Sequence, residues 1–104
     1  MQFLSRIEEI LLLAIWKLGD NAYGIAIREQ VENDTGVKWI SGAIYGPLSR
    51  LRNNGYVKTT IADNAADQRG RPRIYYTLTP VGKGKLQAIQ MLNRIMWADV
   101  SEVK

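Results

Sequence analysis

Two stretches of alternating polarity, "YVKTTIAD" and "RIYYTL", lie in the second half of a chain whose other apolar residues recur at helical spacing. Alternation marks half-buried strands. Val57, Thr59 and Ile61 share one face of the first, and Ile74, Tyr76 and Leu78 match them on the second. Between them "DNAADQRGRP" is polar, carries glycine and proline, and is too long for a two-residue turn, which predicts an antiparallel hairpin with an extended loop. Pro72 falls at the start of the second strand, where a missing N–H is tolerated. One hairpin among helices restricts the chain to a small set of α+β folds.

Helical spacing governs the rest. Phe3, Leu4, Ile7, Ile10, Leu11, Ala14, Ile15 and Leu18 form an amphipathic stripe, ended by Gly19. Leu12, Leu13 and Trp16 fall outside it, so this helix is apolar nearly all round in its second half and is expected to be buried on two sides. Tyr23, Ile27 and Val31 space a second helix that closes at "NDTG"; Arg28, Glu29, Gln30 and Glu32 lie on its wet side. "VKWI" reads as a brief extended piece, and Ser41 as the N-cap of a third helix over 41–54. Ile44, Leu48 and Leu51 point that helix inward, Gly46-Pro47 conflicts with it locally, and Asn54-Gly55 stops it. Thr79 and Pro80 start a last helix as cap and first residue. The order is α-α-(β)-α-β-β-α: a mostly helical α+β winged helix-turn-helix with one additional C-terminal helix.

At 104 residues the chain is a single compact domain in size. It holds no cysteine and no histidine, which removes disulfides, most zinc chemistry and the usual nucleophile–base pairs. Its ten acidic residues form no cluster, so an enzyme using carboxylates or lysine is disfavoured, and no metal or cofactor is implied. The net charge is +4, modest enough that its placement matters more than its sum. "ILLLAIW" is too short to span a bilayer, and "MQFLSRIEE" has acidic residues where a signal peptide is basic, so a cytoplasmic location is expected.

The placement of charge points to nucleic acid. The third helix follows another through a short connection and keeps small or hydrogen-bonding residues outward: Ser41, Gly42, Tyr45, Ser49, Arg52 and Asn53. Such a face suits a major groove, where Ser, Asn and Arg address base edges or phosphates; a solvated helix face is the alternative. Arg69, Arg71 and Arg73 crowd the hairpin loop, where like charges repel unless an anion meets them. Arginine suits phosphate and a narrow minor groove, and the loop follows the reading helix at the distance a wing requires. Tyr45 and Tyr75 are candidate phosphate contacts, whereas Tyr76 shares a face with Ile74 and Leu78 and is read as core.

"AIYGPLSRLRNNGYV" followed by "GRPRIYYTLTPVGKGKL", with "ILLLAIWKLGD" and "YGIAI" before them, resembles the PadR family of bacterial transcriptional regulators. The resemblance covers nearly the whole chain and is most specific from the wing to the last helix. It implies a homodimer on a palindromic operator, usually a repressor, and the single last helix resembles the short subclass in which that helix makes the dimer interface. Tyr45, Arg50, Leu51, Gly70 to Arg73 and Gly82 match the family pattern; Ala43 and Arg52 depart from it where threonine and glutamate are common.

Residues 1–79 are accordingly expected to form the DNA-binding unit and 80–104 the dimerisation helix. Leu86, Ala88, Ile89, Met91, Leu92, Ile95, Met96, Trp97 and Val100 cover more than one stripe of that helix, leaving apolar surface to spare. Leu12, Leu13, Trp16, Ile89, Leu92, Met96 and Val100 are the candidate dimer contacts, with a single monomer core as the alternative. Trp97, Met91 and Met96 either pack or line a pocket for a planar hydrophobic effector. The expected partners are double-stranded DNA and a second copy of the chain, with no membrane. A winged-helix module that binds protein instead of DNA is the competing function, and the three wing arginines count against it.

Overall fold

The computed structural model describes residues 3–62 and 73–103. Helices α1 (Arg6–Leu18), α2 (Gly24–Thr35) and α3 (Ser41–Asn53) precede strands β1 (Val57–Ala62) and β2 (Arg73–Leu78), and α4 (Pro80–Trp97) follows; a short 3-10 turn at Gly19–Asn21 joins the first two helices.

Local chemistry sets each boundary. α1 starts at a capping box: the Glu8 N–H donates to the Ser5 hydroxyl (3.3 Å), and the Ser5 N–H donates to the Glu8 carboxylate (2.9 Å). Phe3 therefore lies before the helix and is exposed, off the stripe expected of it. α2 ends at Gly36, whose left-handed backbone (φ 74°) favours a residue without Cβ. α3 has Ile40, not Ser41, as its cap residue, and no side chain caps it. Ser41 is its first helical residue, and its hydroxyl accepts from the Arg28 guanidinium (2.9 Å). The helix runs through Pro47, which is buried. α4 opens as the sequence predicts: Thr79 Oγ1 accepts from the Gly82 N–H (3.0 Å), with Pro80 at the first position.

α1 is the central element, packed against α2, α3, β2 and α4. Leu11, Leu12, Ile15, Ile27, Val31, Ile44, Leu48 and Leu51 are fully buried around it, and Val57 and Leu78 continue the core into the sheet. The crowding on α1 corrects the reading of Leu12. With neighbours on several sides the helix buries more than one stripe, so Leu12 fills the monomer core and is inaccessible to a partner. Leu13 and Trp16, by contrast, are exposed.

β1 and β2 pair antiparallel with Val57 opposite Leu78, Thr59 opposite Tyr76 and Ile61 opposite Ile74, so the two faces matched by alternation do meet. Residues 37–40 form no strand. The third extended contact with the sheet comes instead from Tyr23, which bridges Tyr75, while the Tyr76 N–H donates to the Ala22 carbonyl (2.8 Å). Among the described residues no helix is long and apolar enough to cross a membrane.

Candidate nucleic-acid interface

α3 turns Ile44, Pro47, Leu48 and Leu51 into the core and leaves Ser41, Gly42, Tyr45, Gly46, Ser49, Arg52 and Asn53 exposed. Neither aspartate nor glutamate occurs over 41–53, so the outward face is neutral to positive. Arg28 of α2 adds a guanidinium at the first turn through its bond to Ser41. Arg50 acts differently, pairing with the nearly buried Glu8 carboxylate (3.7 Å) and so tying α3 to α1.

Tyr45 lies against the start of α2, its ring and hydroxyl resting where Gly24 has no side chain; a Cβ there would collide with it. It remains 44% exposed, enough to touch a ligand while braced from behind. Tyr76, packed against the core from β2, sits close to the same helix. Burial raises its hydroxyl pKa above 10.0; Tyr45 adds to the rise and Arg52 opposes it. At ordinary pH the Tyr76 hydroxyl is thus neutral.

The root of the wing adjoins this surface. Arg73 opens β2, and its guanidinium carbon lies 4.4 Å from the centroid of the Tyr23 ring. Tyr75 meets the same ring edge-on, 5.6 Å between centroids at 62°. Tyr45, Gly24, Tyr23 and Arg73 thereby link the outward face of α3 to the hairpin. Arg69 and Arg71 lie outside the described residues. Sequence reasoning missed Tyr23 and Arg28. The helical spacing of Tyr23 hid its pairing with the sheet, and no local signal reveals that Arg28 reaches Ser41 on another helix.

A second surface lies at the far side of α1. A groove of about 540 Å³ separates α1 from α4, floored by Ile10, Leu13, Trp16, Leu86 and Ile89 and rimmed by polar residues including Arg6, Glu9 and Lys83. Ile89 and Leu92 are half-buried, whereas Met91, Ile95, Met96 and Trp97 are exposed on α4, and Val100 beyond its end. Trp97, Met91 and Met96 are not among the residues that line this groove.

Residues 12–88 match the model of the transcriptional regulator PadR-like family. Among solved structures, a PadR family transcription regulator from hypervirulent Clostridium difficile R20291 is 25% identical, with a TM-score of 0.75 over 88% of this chain and 91% of that one. RosR of H. salinarum is 22% identical (TM-score 0.74, 98% of this chain and 83% of that one). A PadR-like transcriptional regulator from Bacillus cereus strain ATCC 14579 is 21% identical (TM-score 0.69, 90% and 82%). No curated protein matches the chain. A winged helix with a polar, positively charged third helix and a family match over most of its length lead to one conclusion: the chain belongs to the PadR-like family and is a DNA-binding transcriptional regulator, not an enzyme.

Proposed function

We propose that the protein represses transcription in the cytoplasm as a homodimer on a palindromic operator. Ser41, Gly42, Tyr45, Ser49, Arg52 and Asn53 of α3 enter the major groove, and Arg69, Arg71, Arg73 and Tyr75 follow the backbone or minor groove from the wing. The supporting observation is the continuity of the surface, from the acid-free face of α3 through Tyr45 on Gly24 to Arg73 on Tyr23. Residues 80–104 supply the dimer contact, with Leu13, Trp16, Ile89, Leu92, Met96 and Val100 meeting the partner. The exposure of Leu13, Trp16, Met96 and Val100 supports that assignment, since such side chains gain roughly 1.5–3 kcal/mol each when fully buried. A planar hydrophobic effector releases the operator by binding where the two copies meet and altering their spacing.

The test is titration of a fluorescent duplex from upstream of the protein's own gene against a scrambled duplex, over a range of salt. Selective binding is expected, weakened by Arg52→Ala and by Arg71→Ala/Arg73→Ala. With roughly six to ten phosphate contacts, affinity falls about 10³–10⁵-fold between about 50 and 200 mM salt. Equal, weak binding to both duplexes contradicts operator recognition.

A further inference from the structure

Tyr23 stands at the joint between the two halves of the proposed DNA surface. Its ring face lies beneath the Arg73 guanidinium, and its position is fixed from several directions. Tyr75 packs edge-on against it, the two residues bridge through their backbones, and the adjoining Ala22 carbonyl accepts from the Tyr76 N–H. On the following residue, Gly24, rests Tyr45 of α3. A tyrosine face carries negative electron density, so it orients a planar guanidinium.

We propose that Tyr23 is a positioning residue for DNA binding: it sets the Arg73 guanidinium, and with it the root of the wing, relative to α3. This rests on the DNA-binding reading of the wing given above. Two features of Tyr23 are separable. Its ring face does the positioning, whereas its hydroxyl is dispensable.

The experiment measures binding of Tyr23→Phe, Tyr23→Leu, Arg73→Ala and Tyr23→Leu/Arg73→Ala to the upstream duplex, with the melting temperature of each and the proton shifts of the Arg73 side chain. Tyr23→Phe is expected to bind as wild type. Tyr23→Leu is expected to bind about two- to five-fold more weakly, the range an exposed cation–π contact supports. The double variant is expected to bind no worse than Arg73→Ala alone, because both changes remove one interaction. Arg73 Hγ and Hδ are expected upfield in wild type and Tyr23→Phe and at ordinary values in Tyr23→Leu. A folded Tyr23→Leu that binds as wild type overturns the proposal. If Tyr23→Leu does not fold, weakened binding by Tyr23→Phe or the lack of an upfield shift in wild type overturns it. Wild type that binds no duplex yet keeps the upfield shift overturns the DNA reading itself, and the role of Tyr23 with it.

Discussion

Leu48 on α3 and Ile95 on α4 are both large apolar residues on amphipathic helices, yet the first is fully buried and the second 64% exposed. The contrast extends along both elements. α3 turns four residues inward against α1 and spends its outer face on polar groups. α4 has only Gly82 fully inside, while Met91, Ile95, Met96 and Trp97 are 59–67% exposed. The three-helix unit with its hairpin seals a core of its own, with single apolar residues such as Trp16, Ile25 and Ile61 left exposed on it. The far half of α4 carries more than one chain can cover, which is the physical case for a second copy.

Substitutions on the two helices separate folding from assembly. Leu48→Ala leaves a cavity in a sealed core and is expected to cost roughly 2–5 kcal/mol in urea unfolding. Gly82→Ala probes where the folded unit ends. A Cβ at this position meets the Tyr56 carbonyl, a backbone atom that cannot turn aside, and a loss of about 1–3 kcal/mol is expected. The near end of α4 would then belong energetically with the start of the hairpin and not with its own far end.

The Glu8–Arg50 pair, which locks α3 to α1, gives a smaller effect of defined sign. Burial raises the Glu8 pKa, but the Ser5 backbone and hydroxyl hydrogen bonds and the Arg50 charge outweigh it, so the folded value lies below the ordinary 4.5. Its stabilisation is full above that pH and is lost as pH falls through the lower folded value. Glu8→Gln should flatten this part of the stability–pH curve; an unchanged curve would mean that the Glu8 carboxylate, with its Ser5 and Arg50 partners, does not contribute to stability.

Ile95→Glu is expected to have the smallest effect on the fold, within about 0.5 kcal/mol for the isolated chain. It should nonetheless abolish the rise of Tm with protein concentration that a dimer produces. A variant whose Tm still climbs with concentration moves the interface away from α4.

Much of this division was legible beforehand. Alternation over 57–61 and 74–78 gave the two strands and their matching faces, and Thr79-Pro80 gave the start of α4, because both are local rules. The outward face of α3 followed from its helical period. The misreadings have tertiary causes, with one exception. Leu12 lies off the main stripe, but α1 is surrounded, and being surrounded is a property of the other helices. The role of Tyr23 arises from a strand far along the chain, and Ser41, one residue inside the helix, is bonded by Arg28 from α2. The exception is the capping box of Ser5 and Glu8: its spacing was present in the sequence and was masked by the longer apolar run that begins at Phe3.

Sedimentation velocity of the protein mixed with its upstream duplex tests the central claim most directly, since it weighs the complex. Two chains per duplex are expected at every concentration where complex forms, and no such species with Ile95→Glu. A complex of one chain per duplex with full affinity would contradict the dimeric reading and leave the exposed face of α4 without a part in DNA binding.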